Sequence, residues 1–253
     1  MIEPVLDFSP DYEGAIVCPS PNFGERRNVS APDMLIMHYT AMESAQAACD
    51  WLCSPQSEVS AHYLIDEAGQ VTQMVAEDSR AWHAGRSFWQ GETDINSRSI
   101  GIEISNMGHE AGCPEYPDVQ IQSVIKLSKS IMSRHDIAPR HVLAHSDIAP
   151  GRKRDPGEWF PWKLLSENGI GHYIEPTPQT GGRYFMRGES GQPIEALQSM
   201  LALYGYNTPV TGVFDEALEI NIIAFQQHFR PEKTDGVADM STIETLHKLL
   251  SSL

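Results

Sequence analysis

Residues 145–157, His-Ser-Asp-Ile-Ala-Pro-Gly-Arg-Lys-Arg-Asp-Pro-Gly, gather a histidine, two aspartates and three basic side chains in one segment broken by Pro and Gly. His145 and Asp155 can both ligate a metal, and Pro150, Gly151, Pro156 and Gly157 hold the segment to a defined path. A second histidine, His38, follows the apolar run Met34–Met37, where a buried strand can hold an imidazole rigid. Two neutral imidazoles and one carboxylate are a catalytic zinc set, because they leave the fourth tetrahedral position open for water. His141 and His145 stand at i, i+4, which on a helix would put both on one face. Position 142 is Val, however, and Val142-Leu143 favours strand. Four residues of strand span about 13 Å, too far for one ion, so His141 is set aside.

A hydrolase of this kind also needs a base and a cation. Glu103 lies in Ser99-Ile-Gly-Ile-Glu-Ile-Ser105, on the same strand face as Gly101 and Ser105. A carboxylate in so apolar a strand should be desolvated and its pKa raised, as a general base requires. Lys153, two residues before Asp155, can polarise a carbonyl and stabilise an oxyanion. Trp82-His83-Ala84-Gly85 offers an aromatic, a histidine and a backbone open to close approach, a candidate groove wall. His62 is either support for the site or structural. His109, His135, His172, His228 and His247 have nothing near them in sequence that completes a site, and are expected to be hydrogen-bonded structural residues.

The elements that must place these groups are legible as patterns. Met34–Tyr39, Ile100–Ile104 and Val142–Ala144 are strand-like, and Ser44–Leu52 is Ala-rich and helical. His62–Ile65 and Val71–Val75 flank Asp66–Gly69 as a hairpin. Val119–His135 carries apolar residues at helical spacing. The mixture predicts an α/β domain, a mixed central sheet flanked by helices, over residues 1–175 with 1–30 as an N-terminal extension. Pro, Gly and Thr concentrate in 173–183, and a linker is placed at 176–183. Residues 184–253 become wholly helical, with three apolar stripes through Leu197, Ile222 and Leu246. Thr211-Gly-Val-Phe-Asp215 repeats as Asp235-Gly-Val-Ala-Asp239, each Asp able to cap the helix that follows. A small all-α three-helix module results, better suited to binding than to catalysis.

Composition narrows the function classes. The chain has 253 residues and a formal net charge of −16, with both its first 176 residues and the remainder acidic. That argues against generic nucleic-acid or anionic-membrane binding and makes Arg152-Lys153-Arg154 a local exception. No apolar run approaches the ~20 residues of a membrane span. The N-terminus is acidic and lacks the basic-then-apolar order of a signal peptide, so a cytoplasmic location is expected, with the periplasm as the alternative. The four cysteines, Cys18, Cys49, Cys53 and Cys113, form no CxxC pair. Cys49 and Cys53 stand one helical turn apart, a spacing suited to packing, and all four are expected to be free, buried thiols.

Five segments together resemble the type-2 zinc N-acetylmuramoyl-L-alanine amidases, bacterial murein amidases with peptidoglycan recognition proteins as relatives. They are MLIMHYT (34–40), SAHYLIDEAGQVTQMV (60–75), AWHAG (81–85), NSRSIGIEISN (96–106) and HSDIAPGRKRDPG (145–157). The resemblance implies one zinc ion per chain on His38, His145 and Asp155. It implies Glu103 as catalytic acid/base and Lys153 as the carbonyl-polarising residue; Trp82, His83 and Asn106 are candidate substrate contacts. The implied reaction cuts the amide between the lactyl group of N-acetylmuramic acid and L-Ala in peptidoglycan or a muropeptide. The C-terminal segment is similar to three-helix peptidoglycan-binding domains through EALQSMLALYGY (195–206), TGVFDE (211–216), AFQQHF (224–229) and DGVADMSTIETL (235–246). It departs from them at His228–Lys233, where small residues are usual. Two other classes compete, a non-catalytic peptidoglycan sensor and a zinc endopeptidase of stem peptides.

Overall fold

The computed structural model describes residues 8–179 and 181–253. Three short strands and one long one open the α/β part: β1 (Ile16–Val17), β2 (Phe23–Glu25), β3 (Met34–Tyr39) and, after helix α1 (Ala45–Leu52), β4 (Tyr63–Ile65). Then come β5 (Val71–Gln73), β6 (Ser79–Ala81), α2 (Ile95–Arg98), β7 (Ser99–Ile104), α3 (Asp118–His135), β8 (Val142–Ala144), α4 (His145–Ile148) and α5 (Trp162–Glu167). The predicted hairpin is present as antiparallel β4 and β5, and Ser44 caps α1 through the Ala47 N–H. The main sheet runs β1-β5-β4-β7-β3-β8, parallel except at β4/β5, and β2 pairs with β6 in a separate ribbon.

Period-two alternation sorts the central strands into two faces. Leu35, Met37, Ile100, Ile102, Ile104 and Val142 pack on one side with Ile121, Val124, Ile125 and Ile131 of α3. Met34, Ile36 and Leu143 point to the other side. There they meet the C-terminal helices α6 (Gln192–Tyr204), α7 (Glu216–Phe229) and α8 (Met240–Ser251), together with Trp89, Ile95 and Ile148. The fold is thus the expected mixed α/β sheet with a three-helix C-terminal part.

The C-terminal part is not a separate body on a tether. Its apolar stripes complete one continuous core with the sheet. Asp147 of α4 is buried and accepts from Tyr206 Oη at 2.6 Å and pairs with His228 Nδ1 at 2.6 Å. The His228 ring stacks on Trp162 at 3.8 Å. Gly205 makes room for Trp89, since a Cβ there would lie 2.5 Å from the indole. Thr177, in the segment expected as a linker, lies against α8: its N–H donates to Thr245 and its carbonyl accepts from Ser241 Oγ. The repeated Gly turns are held alike: Gln198 Oε1 accepts from Gly212 N–H and Gln226 Oε1 from Gly236 N–H, and Asp215 and Asp239 cap α7 and α8.

The described part of the N-terminal extension is also built in. β1 pairs with the sheet edge at β5, and the Arg26 guanidinium bonds the carbonyls of Glu77, Ser97 and Ser99. On the α3 side, Glu77 is 3% exposed and bonded to Tyr63 Oη at 2.7 Å, His135 Nε2 at 2.7 Å and Arg134 Nε at 3.0 Å. Burial alone would raise its carboxyl, but Arg134, Tyr63 and His135 bring it below its ordinary 4.5. Its contribution to stability is therefore complete above that value and lost as pH falls through the lowered folded value. Glu77→Gln is expected to cost about 2–4 kcal/mol at neutral pH, because it leaves buried partners unmatched. Urea denaturation of both proteins should show the gap narrowing as pH falls below about 4.5.

Candidate active site

Three parallel strands deliver their C-terminal ends to one place, the usual location of sites in α/β sheets. β3 lies between β7 and β8, with His38 in register with Glu103. His145 begins α4 directly after β8, and Asp155 lies on the segment that returns from it. His145–Ile148 is helical rather than loop, because Asp147 Oδ2 accepts the Ala144 N–H at 2.8 Å. His38, His145 and Asp155 are all buried. Their nearest atoms form a triangle: His38 Nδ1 to His145 Nδ1 2.8 Å, His38 Nδ1 to Asp155 Oδ2 3.0 Å, His145 Nδ1 to Asp155 Oδ2 2.9 Å.

Hydrogen bonds fix which ring nitrogens face the triangle. His145 Nε2–H donates to the Ala84 carbonyl at 3.1 Å, so its Nδ1 carries the lone pair. His38 Nε2–H donates to His83 Nδ1 at 3.0 Å, and His83 Nε2–H to Ser99 Oγ at 3.2 Å, which donates on to the Ile95 carbonyl. Burial, and then His145 beside it, pull the His38 imidazole down to about 4, which keeps it neutral. Burial alone would raise Asp155, but His145 and His38 hold its carboxyl well below the usual carboxylate range. Two lone pairs and a carboxylate converging at about 3 Å repel unless a cation sits among them. Tetrahedral zinc with bonds of about 2.0–2.1 Å needs ligand separations near 3.3 Å. The donor set fits a small divalent metal.

A cavity of about 210 Å³ opens over this triangle and is lined by Glu103, Lys153, Trp82 and Trp51 as well. Glu103 Oε2 is sealed from solvent and has no hydrogen-bond partner among the described residues. Burial, and then Asp155, push its carboxyl well above the usual range, while Lys153 opposes them. Lys153 makes no ion pair among the described residues. The basic cluster thus divides: Lys153 faces the cavity, Arg154 is exposed, and Arg152 donates to the carbonyls of Ala84 at 2.6 Å and Arg86 at 2.9 Å. Arg152 thereby ties the ligand segment to the Trp82–Arg86 turn.

Two of the expected substrate contacts take other parts. His83 lines the cavity, but both its ring nitrogens are engaged within the protein, by His38 and Ser99. Its ring lies where a side chain at Gly101 would stand, 2.5 Å from that Cβ, and this is why the strand carries Gly there. His62 supports the same column, its Nδ1 accepting the Gly101 N–H at 3.0 Å. Asn106 does not line the cavity, and its amide instead bonds the Pro114 carbonyl and the Gly108 N–H. Trp82 does line the cavity. Tyr39 and Trp51 are lining residues that sequence reasoning missed. Tyr39 directly follows His38, so its position could have been read; Trp51 carries no such signal. Tyr39 Oη is held by His109, itself bonded to Glu158 at 2.8 Å. His135, His172 and His228 are likewise hydrogen-bonded outside the cavity.

A mixed sheet that brings two imidazoles, a carboxylate, a sealed acid and an ammonium into one cavity defines an amide hydrolase built around a metal-capable centre. The chain belongs to the N-acetylmuramoyl-L-alanine amidase family, whose model matches residues 28–158. A peptidoglycan binding domain matches residues 190–246. The N-acetylmuramoyl-L-alanine amidase AmiD of Escherichia coli is 37% identical over 233 residues, covering 86% of this chain and 82% of that protein. The 1,6-anhydro-N-acetylmuramyl-L-alanine amidase AmpD of the same organism is 32% identical over 166 residues, 59% of this chain and 88% of its own. Among solved structures, E. coli AmiD in complex with anhydro-N-acetylmuramic acid-L-Ala-D-gamma-Glu-L-Lys aligns with a TM-score of 0.75 at 34% identity, covering 91% of this chain and 98% of that one. AmpDh3 of Pseudomonas aeruginosa in complex with anhydromuramic pentapeptide gives 0.72 at 32% identity, covering 97% and 99%.

Proposed function

We propose that this enzyme hydrolyses the amide joining the lactyl group of N-acetylmuramic acid to L-Ala, with soluble anhydromuropeptides as its substrates and zinc as its metal. The observation that carries the reading is the triangle of His38, His145 and Asp155 beneath a cavity that also holds Glu103 and Lys153. Similarity to two amidase structures holding anhydromuramyl peptides supports the substrate class.

His38, His145 and Asp155 would hold the zinc ion. When bound, it supplies Lewis acidity that polarises the scissile carbonyl and makes water a nucleophile at neutral pH. Glu103 takes a proton from the attacking water and returns it to the departing L-Ala nitrogen. Lys153 donates to the carbonyl oxygen as negative charge grows there. Trp82 and Trp51 flank the cavity and offer aromatic faces to the sugar or the stem peptide.

Mass spectrometry of the products from a purified anhydromuropeptide tests the bond. A free lactyl carboxylate and an intact stem peptide are expected. A cut within the stem would make the protein an endopeptidase, and unchanged substrate a sensor. Running intact sacculi in parallel decides between a recycling enzyme in the cytoplasm, which we favour, and a wall hydrolase of the envelope. His83 is proposed as a positioning residue, so His83→Ala should weaken metal affinity by about 10–100-fold. Competition with a chromogenic chelator reads that loss without reference to turnover.

A further inference from the structure

A second cluster of ligating atoms lies behind the cavity wall. Cys18 follows β1, Cys49 lies inside α1, and Cys53 caps that helix. Cys49 Sγ is 3.3 Å and Cys53 Sγ 3.7 Å from Cys18 Sγ, and all three sulfurs lie within 4.8 Å of one another. Contrary to the sequence expectation, these three thiols are only half-buried, whereas Cys113 is buried and stands elsewhere.

The separations suit coordination better than a bridge. Tetrahedral thiolates on zinc, with bonds of about 2.3 Å, stand near 3.8 Å apart. Residues at i, i+4 on a helix keep their Cβ atoms about 5–6 Å apart, wider than the ~3.8 Å of a disulfide, so Cys49 and Cys53 cannot bridge while α1 persists. A bridge from Cys18 to either would leave an odd thiol. The charge environment also favours a cation. Asp50 is the charged neighbour that acts on Cys18 and Cys49, and among the described residues no basic side chain hydrogen-bonds to any of the three thiols.

We propose that Cys18, Cys49 and Cys53 form a second metal site, distinct from the His38–His145–Asp155 centre, that takes a thiophilic d10 cation of the zinc(II) or copper(I) class. It fastens α1 to the N-terminal strand. α1 presents Ala48, Trp51 and Leu52 to the substrate cavity, so an occupied thiolate site would steady that wall.

The full-length protein, reduced and stripped of metal, is titrated with cadmium(II) and followed by ultraviolet absorption. The His/His/Asp centre contains no sulfur, so a thiolate-to-cadmium charge-transfer band reports the cysteines alone. The wild type should take up one equivalent more than the Cys18→Ser/Cys49→Ser/Cys53→Ser variant and show a band that the variant lacks. Cys113 remains in the variant as a control. Should the triple variant fold poorly, Cys18→Ser alone removes the one ligand outside α1 and should abolish the band at one equivalent. Equal stoichiometry without a band overturns the proposal. So does a Cys18–Cys49 or Cys18–Cys53 disulfide that forms in air with cadmium present.

Discussion

Glu103→Gln is expected to lower kcat by about 10²–10⁴-fold while leaving the metal in place. The substitution keeps the size and shape of the side chain and removes only its ability to carry a proton. Glu103 belongs to no part of the His38–His145–Asp155 triangle, and its Oε2 makes no hydrogen bond among the described residues. The lost interaction exists in the transition state alone, so kcat and kcat/KM should fall together with KM little changed. Asp155→Ala is the contrasting case. It removes one of the three proposed ligands and the only negative charge among them, so metal content and turnover should both disappear. Metal analysis beside steady-state kinetics on both variants separates the roles. A Glu103→Gln protein that loses its metal, or an Asp155→Ala protein that keeps it, would exchange or erase the assignments.

Cutting the chain after residue 175 should leave no stable enzyme. If the C-terminal helices were a tethered module, the α/β part would keep its fold without them. They are instead the larger part of a core to which the α/β part contributes Met34, Ile36, Trp89, Leu143 and Ile148 among others. Each such side chain returned to water costs about 1.5–3 kcal/mol, so the group costs roughly 10 kcal/mol. Domains of this size are stable by only about 5–15 kcal/mol. The truncated protein should aggregate or bind a hydrophobic dye, and its near-ultraviolet circular dichroism should be weak. A soluble fragment with a cooperative melt would refute the shared core. A milder version is His228→Ala, which leaves Asp147 without one partner and Trp162 without its stack, at about 3–5 kcal/mol. His228–Lys233, where the helical module departs from the usual small residues, begins with the residue that makes this contact.

What could be read without coordinates was local. The alternation of Ile100, Ile102 and Ile104 with Gly101 and Glu103 defines a strand with one apolar face and one bearing a carboxylate. The hairpin about Asp66–Gly69 and the capping Asp215 and Asp239 follow from side chains acting on nearby backbone, and the helix ending at His135 from the spacing of its apolar residues. The segments that named the family carry their own residues in order, and the functional class was legible from them. Tertiary structure decided everything that depends on strand order. Parallel strands are joined by long crossovers, and nothing near His38 in the chain says that β3 lies between β7 and β8. That order brings His38 within 3.0 Å of Asp155, 117 residues away. The same holds for His83, which a motif reading sends to the substrate and packing sends to His38; for Asn106, whose amide is consumed by its own loop; and for three cysteines that meet only because β1 joins the sheet edge beside α1. The apparent linker shows the limit most plainly. Pro, Gly and Thr report that a segment forms no regular element, but whether two apolar surfaces close over each other is settled by their complementary shapes, which a one-dimensional pattern does not hold.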